Sequence, residues 1–270
     1  PGTNNLVDDF SFRHVATDGG NLQDLEAYGG SLTVDYDFGS VVLTSITGIE
    51  TVDIIGRGDI DGGFGASFAP PFGPGFIPFP AESADGLSDH LQVTQEVRLS
   101  SATGDALQWQ AGLYYFYEDL TVDSFNFDTL AGGVLNGFAQ QEQETNALAA
   151  FGSIDYAFSD RLSGRIGLRI SSDDKDFVAQ RTLSPVGAGP TPLLRANPDD
   201  TEYSWDASLT YAATEDVNFY GRVARGFRAP SVQGRLLFGD SVSVADTETL
   251  LSWELGVKSM LLDERLRANA

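Results

Sequence analysis

Between Thr201 and Arg228 the chain alternates polar and apolar residues with a period of two. Glu202, Ser204, Asp206, Ser208 and Thr210 form one set, and Tyr203, Trp205, Ala207, Leu209 and Tyr211 form the other. This is the pattern of a strand with one polar and one apolar face. The chain turns on Ala213, Thr214, Glu215 and Asp216 and returns from Val217 to Arg228. On the return, Asn218, Tyr220, Arg222, Ala224 and Arg228 oppose Phe219, Gly221, Val223 and Phe227. Strands of about ten residues, with aromatics near their ends and a short polar turn, fit a hairpin that crosses a membrane.

The same period predicts further strands over Leu25–Asp37, Val41–Val52, His90–Ser101, Leu107–Tyr117, Glu144–Ala157 and Glu248–Lys258, and a last one that opens after Leu262-Asp263-Glu264 and runs to Ala270. The strongest alternation sets Leu162, Gly164, Ile166, Leu168 and Ile170 against Arg161, Ser163, Arg165, Arg169 and Ser171. Pro1 to Asn21 reads as a polar loop, as do Asp53–Asp89, Asp119–Gln143, the Pro-rich stretch through Pro185 and Pro198, and Pro230–Thr247. Tight turns and long loops therefore alternate along the chain. A β-sandwich has no reason to place its long loops on every second connection, whereas a membrane barrel has short turns on one side and long loops on the other. The fold class expected is all-β: an antiparallel up-and-down meander of about ten strands, forming part of a transmembrane β-barrel wall.

Composition is compatible with this reading without demanding it. The mean hydropathy of -0.12 does not count against a barrel, because every second strand residue faces the interior. No apolar run approaches the roughly 20 residues of a helical span. A net charge of -23 argues against nucleic acid as a partner, since phosphate neutralisation needs clustered Lys and Arg. With no cysteine, disulfides, thiolate metal sites and cysteine nucleophiles are excluded. Pro1 to Asp9 shows no basic region followed by an apolar core, so no signal peptide is read there.

Four blocks carry a resemblance. They are Leu43-Thr44-Ser45-Ile46-Thr47-Gly48, then Thr94 to Ser101 with Trp109 to Phe116, then Phe219 to Pro230, and finally Glu248 to Ser259. In this order they resemble the barrel strands of TonB-dependent outer-membrane receptors, over nearly the whole chain from about Leu25. The resemblance implies a 22-stranded barrel in the bacterial outer membrane, enclosing an N-terminal plug. It implies energised import of a scarce nutrient such as a ferric siderophore, haem, cobalamin or a glycan. The partners it implies are the TonB complex, reached through the N-terminal part, outer-membrane lipid and lipopolysaccharide, and a small-molecule ligand. No TonB box, plug or terminal strand ending in an aromatic is read in residues 1–270, so the chain is expected to be an internal piece of such a barrel. A passive porin-like or adhesive barrel, and a soluble β-sandwich binding module, are the alternatives from other classes.

Catalytic and cofactor chemistry find little support. His14 and His90 are far apart, and no HExxH pair, GxSxG elbow or phosphate-cradling loop is present. Asp59-Ile60-Asp61-Gly62-Gly63 and the group Asp173, Asp174 and Asp176 lack the spaced ligand set of a calcium loop. No catalytic residue, cofactor or metal is assigned. Ligand-contact candidates are Phe64, Phe68, Phe72, Phe76 and Phe79 of the first long loop, which either meet a ligand over the barrel mouth or pack the loop onto itself. Arg165, Arg169, Arg222 and Arg228 are candidates too. Alternation places them on one wall with Glu202 and Asp206, as an acid/base ladder or as a site for an anionic ligand. Arg225 falls on the outer face, near lipopolysaccharide phosphates, unless local fraying or a bulge turns it inward.

An outward face carrying Leu162, Ile166, Leu168, Trp205, Leu209, Trp253 and Leu255 would lose about 25 cal/mol per Å² by meeting water instead of lipid. Unpaired edges near Leu25 and Ala270 would add to this. The 270-residue chain by itself is therefore expected to aggregate when expressed without detergent, and to form no heat-resistant closed species in micelles. A soluble, cooperatively melting monomer in plain buffer would overturn the barrel reading.

Overall fold

The computed structural model describes residues 11, 13, 19–60, 82–102, 106–128, 131–263 and 265–270. Its strands are β1 (Leu22–Asp37), β2 (Val41–Asp59), β3 (Glu82–Ser101), β4 (Leu107–Asp128), β5 (Val134–Ser159), β6 (Leu162–Leu183), β7 (Leu194–Ala196), β8 (Asp199–Ala212), β9 (Val217–Arg228), β10 (Ser231–Gln233), β11 (Ser243–Ala245), β12 (Glu248–Leu261) and β13 (Leu266–Asn269). The main sheet runs β1-β2-β3-β4-β5-β6-β8-β9-β12-β13, and every neighbouring pair is antiparallel. This is the expected meander. β7 pairs with the upper part of β6, and β10 with β11 in a small separate hairpin. Among the described residues the second sheet is only this two-stranded hairpin, too small to be the facing layer of a sandwich, which removes the β-sandwich alternative.

The two faces reverse the burial order of a water-soluble sheet. Ile166 is 66% exposed, Trp253 74% and Leu255 87%, whereas Thr145, Ser153 and Ser171 of the opposite face are buried. Apolar side chains thus stand outward and polar ones are crowded together, as on the two sides of a curved wall with lipid outside. The outward row Trp109, Ile154, Ile166, Ala207, Val223, Trp253 follows directly from the pairing register. Aromatics bracket this row. Tyr36 with Phe38 and Tyr156 with Phe158 pack edge to face at the short-turn end, 4.6 and 4.9 Å between ring centroids. Tyr203 and Tyr211 mark the two levels on β8, and Ala207 lies midway between them. At about 3.3 Å per residue the two tyrosines are separated by roughly 26 Å along the strand, or about 20 Å in height at a tilt of about 40°, somewhat less than the roughly 25 Å of an outer-membrane apolar band.

Strands β2 to β6, of 19 to 26 residues, are much longer than the ten-residue estimate from the sequence. The expected loop Asp119–Gln143 is mostly strand: β4 continues to Asp128, β5 starts at Val134, and the connection is a tight turn. In that turn the N–H groups of Ala131 and Gly133 donate to the carbonyl of Asp128, at 3.2 and 2.8 Å. Gly132 and Gly133 supply the positive φ values of 77° and 76° it needs. Similarly β6 continues to Leu183, beyond the expected end near Ser171. Above the bilayer both faces meet water or other protein, so residues such as Gln140 to Glu144 and Ser171 to Asp176 are polar on both sides and show no period, although the ladder goes on.

A bulge explains the other two misplaced boundaries. The β2–β3 register shifts between Glu50 and Ile54, and the β3–β4 register between Ser88 and Leu91, with Asp89 at φ 53°. An inserted residue shifts the two-residue period by one. Strand ends expected at Val52 and His90 therefore coincide with the bulge, whereas pairing resumes beyond it to Asp59 and Glu82. The shift also turns Glu82 to the side of Arg57. There Glu82, 2% exposed, pairs with Arg57 and accepts a hydrogen bond from the Gly20 N–H at 2.7 Å, and the Arg57 guanidinium lies 3.8 Å from the Phe127 ring centroid. The Arg57 hydrogen bond holds the Glu82 carboxyl below the usual carboxylate range, against the opposing effect of burial.

Two outcomes follow from these contacts. Ile166→Arg in the complete protein should destabilise it in lipid by about 2–4 kcal/mol, against under about 1 kcal/mol for Ser252→Arg on the opposite face, measured by chemical denaturation in liposomes. Equal costs would contradict the assignment of faces. At the loop end, a lowered folded-state pKa means that the Glu82 contribution is complete above its ordinary value of 4.5 and is lost as pH falls through the depressed value. Protection of the Gly20 amide against hydrogen exchange should accordingly be flat from pH 7 to pH 5 and fall only below about pH 4, while Glu82→Gln loses it already at pH 7.

Candidate functional site

The polar face of β4, β5, β6, β8, β9 and β12 holds an open depression of about 420 Å³. Small residues make the hollow: Ser153, Gly167, Ser204, Ala224 and Ser252 are in its lining. Gly167 leaves room for the Asp206 carboxylate, since a Cβ at 167 would lie 2.8 Å from Asp206 Oδ1 and displace it. Long side chains reach into the hollow from neighbouring strands, and the arginines dominate them. Arg165, Arg169, Arg222 and Arg225 all line it.

Each guanidinium is held differently. Arg165 Nη1 donates to Asp155 Oδ2 at 3.2 Å and its Nη2 to Ser153 Oγ at 3.2 Å. Arg222 Nε stands 3.7 Å from Asp206 Oδ2, long enough for the pair to be loose. Arg169 donates from Nε to Ser171 Oγ at 3.0 Å and lies 5.2 Å from the Tyr114 and 6.0 Å from the Phe151 ring centroid. Among the described residues it has no carboxylate within ion-pair distance. Arginines thus outnumber their close carboxylate partners here, in a chain of net charge -23.

The register confirms that Arg165, Arg169 and Arg222 share a face with Glu202 and Asp206, since Arg165 and Arg222 both pair with Ser208, and Arg169 with Ser204. Arg228 pairs with Glu248 on that same face but outside the depression. The ladder differs from expectation at Glu202. Its carboxylate is taken by Arg225, whose Nη2 donates to Oε2 at 2.8 Å while the same guanidinium bonds the Tyr203 carbonyl and lies 4.1 Å from the Tyr203 ring centroid. β8 and β9 stop pairing at Trp205 and Arg225. β9 itself stays in register with β12 through Arg228, so Arg225 keeps the outward parity that alternation gives it, over the Tyr203 ring, and only its guanidinium reaches past the end of the β8–β9 ladder to Glu202.

The candidates Phe64, Phe68, Phe72, Phe76 and Phe79 lie outside the described residues, as do His14 and Asp61. Asp173 and Asp174 point to opposite faces of β6, and Asp176 bonds Asn197. His90 Nε2 is 3.5 Å from Glu118 Oε1 beside the bulge. Sequence reasoning missed Arg181. It reads as one more polar residue past the end of alternation, yet it is 1% exposed and donates to the carbonyls of Leu236 and Gly239 at 3.0 and 2.7 Å. Nothing in local sequence distinguishes it, because its acceptors come from the β9–β12 connection.

Comparison with known proteins places this geometry. Residues 2–270 match the family described as TonB dependent receptor-like, beta-barrel. Among solved structures, the ferric yersiniabactin uptake receptor FyuA of Yersinia pestis superposes with a TM-score of 0.72 at 16% identity, covering 92% of this chain and 36% of that one. The ferric-catecholate import receptor Fiu of E. coli K12 gives 0.61 at 14% identity, covering 94% and 41%. The ferric preacinetobactin receptor BauA of Acinetobacter baumannii gives 0.54 at 12%, covering 88% and 35%. The chain spans well under half the length of each. With a family match over its whole sheet, apolar side chains outside and a polar wall within, the chain belongs to the β-barrel domain family of TonB-dependent receptors, outer-membrane proteins of Gram-negative bacteria.

Proposed function

We propose that the chain is part of the barrel of a receptor that imports a scarce nutrient across the outer membrane, a ferric siderophore or similar anionic iron complex, with energy delivered through TonB. The observation that carries this reading is the polar inner wall, where Arg165, Arg169 and Arg222 converge on one open depression and, among the described residues, Arg169 has no carboxylate within ion-pair distance. Guanidinium groups bind carboxylate and catecholate oxygens through paired donors, and an uncompensated one in a partly enclosed site attracts an anion. The three structural relatives are named for ferric complexes, which agrees with this chemistry. On this reading the plug and TonB box belong to the rest of the receptor, and residues 1–270 supply internal strands of the wall. The wall, on the same reading, binds and guides its ligand and makes no covalent change. Phe64, Phe68, Phe72, Phe76 and Phe79 would meet the ligand from the first long loop, and Arg228 from the upper end of β9.

The test uses the complete receptor in an outer-membrane strain lacking its own iron receptors. Uptake of radiolabelled ferric siderophores should depend on TonB and stop when a protonophore collapses the proton-motive force. Arg169→Ala combined with Arg222→Ala should reduce uptake of an anionic complex by about tenfold, the loss of one or two charge-assisted hydrogen bonds. Uptake that continues without proton-motive force would instead identify a passive, porin-like barrel.

A further inference from the structure

The connection between β9 and β12 folds back toward the polar face. Its Leu236 and Leu237 are buried with Ala139, Phe177 and Ala179, residues of β5 and β6 on the same face as the arginine wall but above the outer aromatic level. Arg181 sits in the middle of this contact. Its guanidinium donates to the carbonyls of Gly189 (2.9 Å), Leu236 (3.0 Å) and Gly239 (2.7 Å) and to Asp240 Oδ1 (2.5 Å). Its backbone N–H donates to Thr191 Oγ1 at 2.9 Å. Lys175 Nζ adds a bond to the Pro230 carbonyl at 2.6 Å, where the connection leaves β9.

Burying a guanidinium is costly unless its N–H groups are met by acceptors. Here two of the acceptors belong to a turn, Leu236–Gly239, closed by the Gly239 N–H on the Leu236 carbonyl at 3.2 Å, and a third, Asp240, follows it directly. A segment that swung freely would give up these charge-assisted bonds together and expose the buried Leu236 and Leu237 to water. The turn is therefore held against the wall. One side of it covers β5 and β6, so the other side looks across the interior. Arg235 and Phe238 flank the buried leucine pair and are both exposed, Phe238 at 48%. Among the described residues Arg235 has no carboxylate within ion-pair distance.

We propose that Arg181 latches the β9–β12 connection as a fixed inward shelf, and that Arg235 and Phe238 on that shelf contact an anionic ligand bearing aromatic rings as it enters the barrel. The ligand half rests on the receptor reading given above. An exposed arginine and an exposed phenylalanine on one turn, either side of the buried leucine pair, suit this ligand class, one taking the anionic oxygens and the other the ring face. Arg181 is a positioning residue: it touches the turn and never the ligand.

The experiment uses the full-length receptor purified in detergent and two probes, the ferric complex of a tris-catecholate siderophore, net charge 3−, and the neutral ferric complex of a tris-hydroxamate siderophore. Arg235→Ala with Phe238→Ala should weaken binding of the tris-catecholate complex by about tenfold or more and leave the neutral complex unchanged. Arg181→Met should weaken the same probe while amide exchange at residues 236–240 accelerates by at least about tenfold and the amides of β5 and β6 keep their protection. Asp240→Asn, at a side chain 72% exposed, should move both readouts in the same direction by less, and it serves if the Met variant fails to fold. Unchanged exchange in Arg181→Met, or unchanged tris-catecholate affinity in the double variant, overturns the shelf even where the wild type imports iron. A wild-type receptor that binds neither probe overturns the ferric-uptake reading and the ligand half of the shelf together, while the exchange measurement still decides the latch without any ligand.

Discussion

In a bilayer each backbone N–H and C=O must find its partner on a neighbouring strand, because the hydrocarbon offers none. Between its two edges the meander meets this constraint. From β1 to β13 each strand of the main path pairs with the next, over as many as twenty-two residues between β4 and β5. With the backbone satisfied inside the sheet, side chains are free to differ completely on the two faces. Leu148, Ile166 and Leu255 stand exposed on one side and Ser153 and Ser171 are buried on the other. In water that order would be strongly destabilising, and in lipid it is what burial of apolar surface favours.

The same ladder continues past the outer aromatic level with a different set of neighbours. There lipid no longer selects apolar residues, and contacts between protein segments take over. Glu82 is buried against Arg57 with the Gly20 amide as a second donor, and Arg181 is buried under the Leu236–Gly239 turn. Both charges are almost fully removed from water, and in both cases a carboxylate or several carbonyls stand ready. Charges so placed specify one arrangement of the loop end, because any displaced arrangement gives up several charge-assisted hydrogen bonds at once.

Within the bilayer zone the inner wall uses charge more loosely. Arg165 with Asp155 and Arg222 with Asp206 are half exposed, at 3.2 and 3.7 Å, so these pairs add little stability and keep their donors accessible. Arg169 rests against a hydroxyl and two aromatic rings. Tight pairs hold the outer structure, and loose ones line the interior.

The chain by itself determined the class of fold and the faces of the strands wherever one face meets lipid. The alternation Leu162 to Ile170 against Arg161 to Ser171 is enough, because a two-residue period has one structural meaning when its apolar half needs an apolar medium. It also put Arg165, Arg169 and Arg222 on one wall, since parity is a property of sequence. Three things only the tertiary structure decided. Strand lengths were hidden where both faces are polar, as from Gln140 to Glu144, or where the bulge at Asp89 shifts the period. The partner of Arg225 depends on where β8 and β9 part, a matter of registry between strands. The role of Arg181 depends on acceptors some 55 residues along the chain, and a contact between distant segments leaves no local period from which it could be read.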